Sequence, residues 1–326
     1  MNVELPRRSH GFMLARDATA LGVRSELESG VATARLERVR RGVYADVVRP
    51  DPKLPAAQRE AMAYLRDVRA AGLTLRAPVF TAHSAIALYE LPIVGAWPAQ
   101  VYVMAPGRSG HRRRGVTALA RTRDIEVHLV GGLAVTSVEY SLIQLSRHGS
   151  LAAALTATDA AIHVSRRSDD PPPLTTLAQL RAEHERLLPY PGSRRTDAVL
   201  RRATHLADTP LETASRLVIE ELGFPAPELQ HRLWLPELRR VAFLDFHWPE
   251  FGVGAEADGR GKYLGDGTVE ASADVVIDEK AREDAIRRQV RAFTRWDWPE
   301  MWGRRVLAAK LRAAGLPVVR PSLKLF

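Results

Sequence analysis

Cysteine is absent from the 326-residue sequence. This excludes disulfides, thiolate zinc sites, iron–sulfur clusters and a cysteine nucleophile, and it suits a reducing cytosol. Lysine is scarce, found only at positions 53, 262, 280, 310 and 324, so arginine supplies nearly all of the 47 basic side chains. Aromatic residues make up 6%, too few for an extended base-stacking platform. No stretch reaches the roughly 18 apolar residues of a spanning helix. The opening Met1–Phe12 segment has no apolar core behind its basic residues, as a secretory signal would. The expected location is therefore the cytoplasm, with no membrane partner. A glycine-rich loop ending in Lys-Ser/Thr and a Gly-x-Ser-x-Gly elbow are both missing, which disfavours nucleotide hydrolysis and acyl transfer.

What is present is ordinary in bulk and unusual in charge. Hydrophobic content of 46% and charged content of 26% fit a globular chain, and at roughly 100–200 residues per domain the length gives two or three domains. The formal charge is +9 and the pI about 10.2. Arginine enrichment has two readings: codon usage in a GC-rich genome, or an electrostatic footprint for phosphates.

The spacing predicts an α/β (α+β multi-domain) protein. Residues 1–50 read as helix, glycine turn, helix and hairpin. Leu14, Ala18 and Leu21 share one helical face, Gly22 ends that helix, and Ser25 through Glu28 form a capping-box pattern ahead of the second. Leu36–Tyr44 alternates apolar and basic residues about a turn at Arg41-Gly42. This is the layout of a winged helix-turn-helix, in which the second helix enters the major groove and wing arginines meet phosphates. Arg35, Arg38, Arg40 and Arg41 are the candidate contacts; the alternative is a solvated basic hairpin.

Residues 51–165 read as a small α+β unit, with a helix over 56–71, a strand over 99–105, and a strand and helix from Leu133 to about Leu145. Between them, Gly107–Gly115 reads as a loop carrying Arg108, Arg112, Arg113 and Arg114, with no acid before Asp124. Flanking glycines would let backbone amides and guanidiniums approach a phosphate together. Residues 166–205 have linker composition, including Pro171-Pro-Pro173, around a polar helix over 177–188. Residues 206–326 form the last unit, with a helix from Thr209, strands over 229–235, 240–246 and 252–258, a charged helix over 278–291, and a final helix near 304–314.

The chemistry-bearing residues lie in that last unit. Asp245 ends one strand, Glu256 and Asp258 share a face of the next, and Lys262 follows. Carboxylates converging from neighbouring strands could hold Mg²⁺, which polarises a phosphodiester and activates water. Each residue also has a plainer reading. Glu212 stands three after Thr209 and completes a helix cap; Asp245 and Glu256 pair with Arg282 or Arg287; Asp258-Gly259 is a turn. His83, His128 and His247 stand alone, without zinc-ligand spacing.

Asp245 through Tyr263, with Glu279–Arg288 and Trp296-Asp-Trp298 behind it, resembles the core of the PD-(D/E)XK nuclease superfamily, and within it the domain related to very-short-patch-repair endonucleases. The resemblance implies a restriction-endonuclease-like αβββαβ domain over about 115 residues, with Asp245, Glu256 and Asp258 as metal ligands. It adds Glu212 on the opening helix and Lys262 as catalytic groups, and Mg²⁺ as cofactor. One departure stands out: where the commonest pattern has a lysine two after the second acid, this chain has Asp258. The front half, in Leu36–Tyr44, Phe80–Pro92 and Gly131–Glu139, resembles the AbiEi-type antitoxin and transcriptional-regulator family. That implies binding of double-stranded DNA, as a monomer or homodimer, and a cognate nucleotidyltransferase toxin as partner.

Overall fold

The computed structural model describes residues 5–166, 169–258 and 273–325, without the side chains of 273–277 and 279. Lys262 lies outside the described residues. The chain divides into two compact units, residues 1–149 with 182–191, and residues 150–181 with 192–326.

In the first unit, β1 (Met13–Leu14), α1 (Ala15–Ala20), α2 (Arg24–Ala32), β2 (Leu36–Arg40) and β3 (Val43–Asp46) follow one another. The three strands form a sheet of order β1-β3-β2. Gly22 and Gly42 adopt φ of +71° and +78°, the left-handed turns that glycine makes without strain. The expected capping box does not form: the residue ahead of α2 is Val23, with no side-chain cap, and the Ser25 hydroxyl instead bonds Glu26. Next come α3 (Ala56–Gly72), β4 (Val79–Phe80), α4 (Ala82–Leu88), β5 (Val101–Met104), β6 (His111–Arg113), β7 (Val116–Leu119), β8 (Val127–Val130), β9 (Leu133–Thr136) and α5 (Val138–His148). Their six strands are ordered β6-β7-β5-β4-β9-β8. Tyr64 and Val68 of α3 pack with Phe80, Val101, Val103, Val116 and Val135 in the core beside this sheet. The segment read as an arginine loop is an edge hairpin, with Arg112 opposite Thr117.

The second unit holds α6 (Leu151–Ile162), α8 (Ser193–Leu200), α9 (Pro210–Glu221), β10 (Glu228–Leu235), β11 (Arg240–Trp248), β12 (Val253–Ala257), α10 (Ala273–Arg287), β13 (Ala292–Trp296), α11 (Trp298–Trp302) and α12 (Arg304–Ala313); α7 (Leu177–Leu187) is divided between the units. The sheet runs β10-β11-β12-β13, antiparallel except for the parallel β12–β13 pair. β11 alternates strictly: Ala242, Leu244, Phe246 and Trp248 are buried, whereas Val241, Phe243, Asp245 and His247 are partly exposed. That period of two sets Asp245 and His247 on one face. Leu244 meets Ala285 and Ile286 of α10 in the core.

The sequence boundaries at 50, 165 and 205 do not coincide with these units. Phe12, Leu14, Val43 and Ala45 share a core with Ala70 of α3, which joins residues 1–50 to the helix beyond them. Buried Asp159 of α6 accepts from Thr213 Oγ1 at 2.8 Å and from the Thr204 amide at 2.9 Å, and pairs with Arg216, which ties α6 to α9. The expected linker contains two helices.

His83 of α4 is buried, with an Nδ1 that has no hydrogen-bond partner among the described residues. Burial, helped by the charge of His148, pushes its pKa down to about 4. The fold therefore favours the neutral ring, and its contribution is complete above the unfolded value near 6.5 and lost as pH falls toward 4. The urea stability of the wild type should drop over that window by about 3 kcal/mol more than that of His83→Gln. Parallel curves for the two proteins would show that His83 does not titrate on unfolding.

Candidate functional site

The two basic hairpins of the first unit meet. Arg40 leaves β2, pairs with Asp67 of α3 at 2.6 Å and donates to the Gly115 carbonyl at 3.1 Å. Its side chain is only 14% exposed, so Arg40 is a clasp between the hairpins rather than an open phosphate contact. Gly115 turns with φ of +74°, and a Cβ there would stand 3.2 Å from the Arg40 guanidinium. The turn thus needs glycine both for its backbone and for the approach of Arg40.

Around this clasp lies a cleft of about 1040 Å³ lined by Arg16, Arg38, Arg40, Arg41, Arg113 and Arg114. Asp67 is the single carboxylate in the lining, and Arg40 already engages it. A concave surface with one sign of charge focuses its field and raises the local concentration of polyanions. Of the expected contacts, the structure gathers Arg38, Arg40, Arg41, Arg113 and Arg114 here, and leaves Arg35, Arg108 and Arg112 exposed but outside the lining. Arg16, unremarkable in sequence, joins them because α1 begins directly after β1. The second helix contributes little: α2 carries Glu26 and Glu28, and Arg24 is paired with Glu28 at 2.8 Å.

In the second unit the acids are drawn toward protein partners. Phe246 lies opposite Ala255, and the next step of that register sets Asp245 across from Glu256. Asp245 Oδ2 accepts the Ala257 amide at 2.8 Å, and its Oδ1 stands 3.4 Å from Gln230 Nε2. The same Gln230 nitrogen donates to Glu212 Oε2 at 2.8 Å, so Glu212, Gln230 and Asp245 form a chain. Glu212 is buried and caps its helix, taking the Asp208 amide at 3.0 Å and the Thr209 hydroxyl at 2.9 Å. Burial pushes its carboxyl above the usual range, against these hydrogen bonds.

Glu256 is also buried. Its Oε1 accepts from Arg282 at 2.6 Å and its Oε2 from Arg295 at 2.9 Å. Asp258 lies 3.8 Å from Arg295, which also meets Glu283 at 3.1 Å. Asp245, Glu256 and Asp258 are not brought together as three metal-ready carboxylates; the set among the described residues that does meet at such spacing is Glu228, His231 and His247. The expected ion pair of Glu256 with Arg282 forms, and the expected isolation of His247 does not hold, because its ring lies 3.9 Å from that of His231. No family model matches the chain, and no curated protein matches it.

Removing the clasp tests how the cleft is held. Arg40→Ala leaves the largely shielded Asp67 carboxylate without that partner and should cost about 1–3 kcal/mol in urea unfolding. Arg41→Ala, on an exposed side chain, should cost less than about 0.5 kcal/mol.

Proposed function

We propose that the chain is a double-stranded-DNA-binding regulator of the AbiEi type, gripping the phosphate backbone in the arginine-lined cleft of its first unit. The observation that carries this reading is the cleft itself: besides the clasp Arg40, five arginines from α1 and the two hairpins line it, and its one carboxylate is already paired. Two short helices followed by the β2–β3 hairpin, with β1 added beside β3, support a winged helix-turn-helix in residues 1–50. The succession α9, β10, β11, β12, α10, β13 supports a restriction-endonuclease-like αβββαβ frame in the second unit. A nucleotidyltransferase toxin as partner belongs to the reading through the resemblance alone.

Within this reading the second unit acts without cutting. Both Glu256 oxygens are engaged by guanidiniums, and Asp258 stands where the superfamily's commonest pattern has its lysine. Those two ion pairs favour a Glu256 held by protein partners over one offered to Mg²⁺. A second reading, Mg²⁺-dependent endonuclease, is favoured by the chain from Glu212 through Gln230 to Asp245.

Binding to duplex DNA, titrated against salt, tests the first reading. Log affinity should fall against log salt with a slope of about −4 or steeper. Arg38→Ala, Arg41→Ala, Arg113→Ala and Arg114→Ala should each reduce that slope by about 1, and Arg108→Ala, outside the lining, should change it less. A flat salt dependence would refute the phosphate grip. Plasmid incubated with Mg²⁺ or Mn²⁺ should stay supercoiled. Nicking by the wild type that is lost in Asp245→Ala would establish the endonuclease instead.

A further inference from the structure

Glu228 and His231 stand three apart on β10, and His247 lies on β11, directly opposite Glu228. In a regular strand, residues three apart face opposite sides. Between them Gln230 takes a φ of +52°, a conformation rare for any residue but glycine. Its side chain is held there by Glu212 and faces Asp245. The twist resets the alternation and brings Glu228 and His231 together at His247.

One ligand atom from each of the three lies within 4.8 Å of the others. His231 Nδ1 is 3.1 Å from Glu228 Oε2, and His247 Nδ1 is 3.6 Å from the same oxygen. The two rings sit 3.9 Å apart, tilted by 33°. A tetrahedral ion with bonds of about 2.0–2.2 Å holds its ligand atoms roughly 3.3–3.5 Å apart, and the two observed distances straddle that span. His247 Nδ1 is shut off from solvent, and the Glu228 oxygen that faces it stands at 3.6 Å, just beyond hydrogen-bond length. Glu228 is 55% exposed and His231 32%, so one side stays open to water.

We propose that Glu228, His231 and His247 bind one first-row transition-metal ion of the Zn²⁺ class, through two imidazole Nδ1 atoms and a carboxylate oxygen, with water completing the coordination. Two nitrogens and one oxygen select Zn²⁺, Co²⁺, Ni²⁺ or Cu²⁺ over Mg²⁺ and Ca²⁺, which take oxygen ligands. Three protein ligands with an open position are the form of a zinc site that also reaches an outside group. This site is distinct from the Asp245–Glu256 pair and does not rest on the polyanion reading.

The test uses the full chain without a polyhistidine tag, titrated calorimetrically with ZnSO₄ at pH 7.5. One ion per chain is expected. Glu228→Gln, His231→Gln and His247→Gln should each weaken binding by at least about tenfold, as loss of a direct ligand costs no less than loss of an outer-shell partner. His128→Gln, in the first unit, should leave it unchanged. Because the Glu228 side chain is exposed, Glu228→Gln keeps the test valid if a histidine variant misfolds. In a second measurement, CoCl₂ should give the visible d–d bands of a site below six-coordination, and excess MgCl₂ should not bleach them. Absence of zinc binding, binding that survives His231→Gln with His247→Gln, or displacement of cobalt by magnesium would each overturn the proposal.

Discussion

The first unit depends on one ion pair. Cationic side chains converging on a single cleft repel one another, and the fold must offset that repulsion without filling the cleft with acids. Asp67 does so from beneath, on α3, by taking one guanidinium of Arg40 at 2.6 Å. Arg40 also reaches the Gly115 carbonyl at 3.1 Å, so a single side chain fixes the first hairpin to a helix and to the second hairpin. The remaining lining arginines stay on exposed or partly exposed positions, where they are hydrated and screened by salt.

The second unit solves the opposite problem, with carboxylates buried on its helices and in its sheet. Asp159 is satisfied by two hydrogen bonds and Arg216, Glu212 by its own helix cap and Gln230, and Glu256 by two arginines. A buried charge persists only where each lone pair finds a partner. On the neighbouring strands β11 and β12, Asp245 takes the Ala257 amide and Glu256 takes Arg282 and Arg295.

The regular elements were legible in the sequence because their signals are local. The helix over 56–71 is found at Ala56–Gly72, Thr209 caps α9 through its hydroxyl, and the turns at Gly22 and Gly42 are left-handed. What was not legible was long-range. Arg40 and Arg113 were both singled out as phosphate contacts, but that one of them clasps Asp67 required knowing that α3 runs beneath the hairpin. The Ser25–Glu28 cap failed because α2 begins at Arg24, one residue ahead of the motif. His247 looked solitary because it stands 19 positions after Glu228 and 16 after His231, and no periodicity announces the twist at Gln230 between them.

The edge strand β6 has a consequence of its own. Arg112 and Arg113, with Arg114 beside them, line the open rim of the six-stranded sheet and are exposed. Charge along a rim is what keeps the unpaired amides and carbonyls of one molecule from adding to another's. The far rim, β8, exposes Val127 and Leu129 instead. Neutralising the β6 arginines would therefore remove the gatekeepers against sheet-to-sheet aggregation, and solubility would fall.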